Sequence, residues 1–154
     1  GTRENWVECY QNPVSMGTRC HQAACYVVHD SPFTMLCDAP TSYEREPDYT
    51  RFIAAIPVTW DETKVLVAEP GRYVVTARRK GNKWFIGAIN DGDRRDLNID
   101  LSFIGSGTRT MTAFADGINA DRQAMDYKRT VTSINDKSIT LHLAKNGGFA
   151  AAIE

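Results

Sequence analysis

The spacing of apolar positions changes near Leu66. Before it, apolar residues recur every three to four positions or gather in short unbroken runs. Cys20, Ala23, Ala24, Val27 and Val28 make one face of a helix predicted over residues 16–30, with Thr18 placed to cap it and Ser31-Pro32 to stop it. Phe33-Thr34-Met35-Leu36-Cys37 is a short apolar run bounded by prolines, which predicts a buried strand that leaves through a loop at residues 38–41. A second helix is predicted over residues 47–56, with Pro47 suited to its first turn and Pro57 at its end. Residues 58–63 predict a second short strand and its exit loop. The order helix, strand, helix, strand predicts parallel strands joined by a crossover helix. Two such strands do not make a stable sheet alone. The region is therefore expected to be the closing part of an α/β domain, with Phe33, Met35, Phe52, Ile53 and Ile56 left as apolar surface.

From Gly71 the period becomes two. Strands are predicted over residues 73–79, 83–89, 95–101, 110–115, 127–134, 138–143 and 148–153. The turns between them are rich in Gly, Asn and Asp: Lys80-Gly81-Asn82, Asn90-Asp91-Gly92-Asp93, Asn135-Asp136-Lys137 and Lys145-Asn146-Gly147. Short strands with turn signals at regular intervals predict an antiparallel β-sandwich.

Composition narrows the classes of function. A net charge of -1 across 154 residues gives no footprint for nucleic acid or an anionic membrane. No apolar run approaches the roughly 20 residues of a transmembrane helix. Cys9, Cys20, Cys25 and Cys37 form no C-x-x-C pair and fit no common zinc spacing, so they are expected to be ordinary buried thiols. A Cys9–Cys20 or Cys9–Cys25 bridge is not indicated by the spacing. A redox or metal protein built on these cysteines fails on the same ground.

Longer stretches carry a resemblance. Residues 16–22 (MGTRCHQ), Tyr26-Val27-Val28, Ser31-Pro32, residues 35–40 (MLCDAP) and residues 52–66 (FIAAIPVTWDETKVL) resemble the late barrel segment of glycoside hydrolase family 97. Ala77-Arg78-Arg79-Lys80-Gly81, Trp84-Phe85-Ile86-Gly87-Ala88, residues 116–122 (DGINADR) and Gly147-Gly148-Phe149-Ala150 resemble that family's C-terminal domain. The similarity runs from Val14 to Glu154, and the order and spacing of the motifs make it specific. It implies a fold in two parts. Residues 1–66 would be the tail of an incomplete (β/α)8 catalytic barrel, and residues 67–154 a C-terminal all-β antiparallel sandwich.

The resemblance also implies a function. The parent would be an exo-acting α-glucosidase or α-galactosidase with calcium near its active site. It would act on an α-linked oligosaccharide in the periplasm or outside a bacterial cell. The family's catalytic carboxylates and calcium ligands lie in upstream motifs that do not occur here. No catalytic residue and no metal ligand is therefore carried over, and this chain alone is expected to be inactive. Its partners would be the rest of the barrel and a second copy bound through the exposed barrel seam.

Residues at the C-terminal ends of barrel strands face the active site. Asp38 follows one predicted strand, and Trp60, Asp61 and Glu62 follow the other, so these four are candidates for contact with a sugar. Each has a structural alternative: Asp38 as a turn cap, Asp61 as a loop cap, Trp60 as filler of the seam. His21 and His29 are two helical turns apart, too far to share a metal, and His142 should point outward. Arg78-Arg79-Lys80 reads as a solvated hairpin tip. Asp91, Asp93, Asp96 and Asp100 lack the ligand order of a calcium loop and read as charge balance for Arg94 and Arg95. Trp84 and Phe85 must face opposite sides of one strand. The competing function is a free-standing carbohydrate-binding or interaction module holding glycans on Trp84 or Tyr127, for which an unpaired α/β tail would have no use.

Overall fold

A computed structural model of the chain describes residues 4, 6–11, 15–36, 38–135 and 138–154. The chain begins with three helices, α1 (Arg19–Val28), α2 (Pro40–Glu44) and α3 (Pro47–Ala54). Eight strands follow among the described residues: β1 (Glu62–Glu69), β2 (Tyr73–Lys80), β3 (Lys83–Asn90), β4 (Arg95–Asp100), β5 (Arg109–Asp116), β6 (Tyr127–Ile134), β7 (Ser138–Leu143) and β8 (Gly148–Ile153). Six of them form one antiparallel sheet in the order β1-β2-β3-β8-β5-β6. β4 and β7 pair as a separate antiparallel ribbon.

The ribbon covers one face of the sheet. Val75, Ala77, Trp84, Ile86 and Ala88 from β2 and β3 meet Ile99, Leu141 and Leu143 from the ribbon in one apolar cluster. The helices cover the opposite face, where Phe85, Phe114 and Ala150 pack against Cys20, Ala23, Ala24 and Val27 of α1 and Tyr49, Phe52 and Ile53 of α3. The central strands are thus buried on both faces, which is why β3 and β8 are nearly continuously apolar rather than alternating.

The fold is a mostly antiparallel β-sheet domain preceded by helices, and no barrel unit is present among the described residues. Phe33–Leu36 form no strand, and Cys37 lies outside the described residues. A strand there needs hydrogen-bonding neighbours, and none is supplied. Residues 58–60 are irregular, and from Glu62 the chain pairs antiparallel with β2 instead of parallel with another strand. β1 therefore joins the sheet as its edge. Within the loop read over residues 38–41, a short helix begins at Pro40 and runs to Glu44, with proline in its first turn. Phe52, Ile53 and Ile56, expected as exposed seam, are buried under the sheet, while Phe33 and Met35 are exposed as expected. Asp136 and Lys137 of the β6–β7 turn lie outside the described residues.

Candidate functional site

The chemistry of the chain concentrates where the helices meet the sheet. Thr18 caps α1, its hydroxyl accepting the His21 N–H at 3.1 Å. The small buried face of α1 lets the helix lie almost on the strands. A Cβ on Gly148 would fall 2.4 Å from His21 Cα, and one on Gly87 would fall 2.8 Å from the Ala24 carbonyl. α3 adds an aromatic group, with Phe52 4.7 Å and Tyr49 5.9 Å from Phe114, ring centre to ring centre.

Three polar brackets fasten this layer. Asp116 at the end of β5 accepts the Thr18 hydroxyl at 2.6 Å, the Ala144 N–H at 2.9 Å and the Gly148 N–H at 2.8 Å. Burial pushes its carboxyl above the usual range despite those donors. Beside it the half-buried His21 lies 3.2 Å from the Gly147 carbonyl, and burial lowers its pKa. In the second bracket Glu46 bridges Arg19 at 2.7 Å and the Tyr127 hydroxyl at 2.8 Å, and Arg19 lies over the Tyr49 and Tyr127 rings. The Arg19 bond holds the Glu46 carboxyl low, and burial with Glu46 beside it pushes Tyr127 up to about 12.

Arg78 makes the third bracket and corrects the reading of its basic run as a solvated tip. It is 5% exposed, donates to Val28 O and Asp30 Oδ1 at 3.1 Å each, and lies over the Trp60 ring. It sits at the C-terminal end of α1, where a cation is favoured. Alternation along β2 turns it toward the helices, whereas Lys80 at the tip is exposed as expected.

The four candidate residues divide. Trp60 is half-buried, edge-on to Phe85 at 5.6 Å. Asp61 accepts the Gly81 N–H at 2.7 Å and Lys80 Nζ at 3.2 Å, and Glu62 pairs with Lys64 at 2.8 Å and Arg79 at 3.1 Å. These donors hold both carboxyls below their usual range, with Gly81 foremost for Asp61 and Lys64 for Glu62. Both stay ionised and occupied, the wrong state for a general acid. Asp38 stands elsewhere, exposed, capping its own turn through the Ala39 N–H at 2.7 Å. Trp60, Asp61 and Glu62 thus gather around the β2–β3 hairpin, and Asp38 belongs to the turn before α2.

Other readings resolve as follows. Trp84 and Phe85 face opposite sides and both are buried, so neither is an open platform for a sugar; Tyr127 is packed in the second bracket. His142 points outward and pairs with Asp96 at 2.8 Å, while Arg94 pairs with Asp121 rather than with its sequence neighbours. Cys9 is exposed and free rather than buried; Cys20 and Cys25 are free thiols in the α1 interface, and burial raises both. Sequence reasoning missed Asp116, Glu46 and Arg78 as brackets, because each works through residues 27 to 98 positions away. Beyond the helices, Phe33 (77% exposed), Met35 (67%), Leu36 and Val58 leave an apolar rim beside a cavity of about 200 Å³ lined by Tyr26, Ile53 and Ile56.

A family model described as Glycosyl-hydrolase 97 C-terminal, oligomerisation, matches residues 59–154. The chain is 49% identical to a retaining alpha-galactosidase of Bacteroides thetaiotaomicron over 154 residues, 99% of this chain and 23% of that protein. It is 30% identical over 125 residues to a probable retaining alpha-galactosidase of Streptomyces bingchenggensis, covering 81% of this chain and 19% of that one. Among solved structures, a glycoside hydrolase family 97 enzyme from Pseudoalteromonas sp. strain K8 in complex with acarbose superposes with a TM-score of 0.85 at 32% identity, over 90% of this chain and 22% of that one. The chain spans about a quarter of the length of the first of these relatives.

Proposed function

Because the chain belongs to the glycoside hydrolase family 97 C-terminal domain family, we propose that it is the C-terminal part of a retaining α-galactosidase. In this reading it supports a catalytic (β/α)8 barrel and mediates homo-oligomer contacts. The observation that carries this is 49% identity along the whole chain to a protein of that activity. The rim of Phe33, Met35, Leu36 and Val58 supports the barrel contact, since a patch of this kind marks a surface made to be covered. In the parent, the segment before the sheet adjoins the barrel, and the sheet that begins with β1 at Glu62 forms the C-terminal domain. Trp60, Asp61 and Glu62 at the β2–β3 hairpin, and Asp38 before α2, are the candidates for sugar contact, in two separate places. Asp61 and Glu62 are not the general acid, because the donors around them keep both carboxyls ionised. The parent is periplasmic or secreted.

The resemblance implies calcium in the parent. Among the described residues no group of three or more His, Cys, Asp or Glu is arranged to hold a metal ion, so these residues do not fit the site. A second reading, α-glucoside hydrolysis, is favoured by the structural similarity to an enzyme solved with acarbose. The free-standing glycan-binding module loses its proposed platforms, Trp84 and Tyr127, to packing.

The test is the intact mass of the native gene product, followed by assay on aryl α-galactoside and α-glucoside. The expected result is a product several-fold above 17.2 kDa that prefers the α-galactoside by about tenfold or more. A reversed preference moves the reading to α-glucosides. A native product near 17.2 kDa without hydrolase activity overturns the enzyme reading.

A further inference from the structure

Every open sheet has two edges, and each is a template for another strand unless something blunts it. The six-stranded sheet ends in β1 on one side and β6 on the other. β1 is blunted. Its register breaks between Val65 and Val67, and Glu62, Lys64 and Glu69 place three charges along it. A bulge and charges are the usual devices against edge pairing. β6 has neither device over its second half. It pairs with β5 in unbroken register over all eight residues. From Thr130 to Ile134 it carries no charge, no proline and no glycine, and four of these five residues are β-branched. Val131, 53% exposed, stands in the middle of this stretch.

We propose that β6 is the surface through which two copies of this chain associate, the two β6 strands pairing antiparallel across a two-fold axis so that two six-stranded sheets become one. This rests on the reading of the domain as an oligomerisation module. The chemistry fits a second copy. Antiparallel pairing centred on Val131 sets Val131 against Val131, Thr130 against Thr132, Arg129 against Ser133 and Lys128 against Ile134. No like charges are opposed, and β-branched residues meet across the axis, the pairs that stabilise neighbouring strands. The same test applied to β1 puts Glu62 opposite Glu69 when the strand is paired about its middle. β6 on β1 of another copy would be head-to-tail and would grow without closing, whereas β6 on β6 closes as a dimer. The start of β6 is already spoken for, with Tyr127 bonded to Glu46 and Arg129 4.0 Å from Asp48. The free stretch lies beyond it.

The experiment is sedimentation equilibrium on the whole chain with three variants: Val131→Lys, Val131→Glu, and Phe33→Ser with Met35→Ser. Val131 is exposed, so either substitution should leave the far-UV circular dichroism of the folded chain unchanged. The wild type is expected at twice 17.2 kDa. Each Val131 variant alone should raise the dimer dissociation constant about tenfold or more by setting like charges opposite each other. An equimolar mixture of the two should recover dimer, because Lys then faces Glu. The Phe33/Met35 variant should remain dimeric. A wild type that is monomeric overturns the oligomerisation reading and this inference with it. A dimer that survives both Val131 substitutions, or that only the Phe33/Met35 variant dissociates, overturns the β6 assignment and leaves the reading intact.

Discussion

On the ribbon side of the six-stranded sheet, Val75, Ile86, Ile99, Leu141 and Ile153 are fully buried in an apolar cluster, with one fully buried polar side chain, Asn90, at its end. On the helix side Phe85, Phe114 and Ala150 are as deeply buried, but Asp116, Arg78 and the Arg19–Glu46–Tyr127 bracket stand among or beside them. The ribbon is a separate sheet whose strands pair only with each other, so apolar area holds most of it, and Asn90 of β3 ties its end down by donating to the Ala144 carbonyl and accepting from Arg95 of β4. The helices cannot extend the sheet's hydrogen bonds, so directional polar contacts set where α1 and α3 sit. Three such brackets give the helix layer one register. That is the property expected of the layer beside the exposed rim that would meet a partner.

The largest test of this contrast is truncation of one anchor on each face. Phe114→Ala should cost about 3–5 kcal/mol and Ile86→Ala about 2–5 kcal/mol in urea unfolding, because both side chains are wholly buried. If Phe114→Ala cost under about 1 kcal/mol, the helix layer would not belong to the cooperative unit. Next is Gly148→Ala, which forces a methyl group against the backbone of α1. It should cost about 1–3 kcal/mol and loosen the packing of Tyr49 and Phe114, seen as reduced near-UV circular dichroism. An unchanged spectrum would show that α1 is free to slide.

The smallest effect is in the pH dependence, where two brackets act with opposite sign. The folded Asp116 carboxyl is raised above its ordinary value, so folding takes up a proton there. Its contribution is fully present below the unfolded pKa and is lost as pH rises through the folded one. The folded Glu46 carboxyl is lowered by Arg19, so its contribution is present above the unfolded pKa and is lost as pH falls through the folded one. Between pH 6 and 3, the stability of wild type relative to Asp116→Asn should therefore grow as pH falls. Relative to Glu46→Gln it should shrink. Thermal unfolding across that range checks both, and equal slopes would remove the distinction between the brackets.

The sequence by itself determined the strands. Alternation at Leu97, Ile99 and Leu101, and turns such as Lys80-Gly81-Asn82, place β2 to β8 within a residue or two, because strand extent depends on local pattern and turn chemistry, whereas the pairing of β3 with β8 and of β4 with β7 does not. It also located α1, through Thr18 and the Cys20-Ala23-Ala24-Val27 face. Only the tertiary structure decided what lies against that face. Val65 and Leu66 show no clean alternation because β1 carries a bulge, so the edge strand was split between an exit loop ending at Thr63 and the change of pattern near Leu66. Phe52 and Ile53 read as uncovered surface because their cover, Phe114, is more than sixty residues on. Arg78 looked solvated among charged neighbours, and Asp116 carried no reading beyond its place in a motif. Each is a bracket because the fold brings Val28 and Asp30 to one and Thr18 to the other. A pattern along the chain records period and punctuation. Which distant group receives a buried charge is set by how the layers pack.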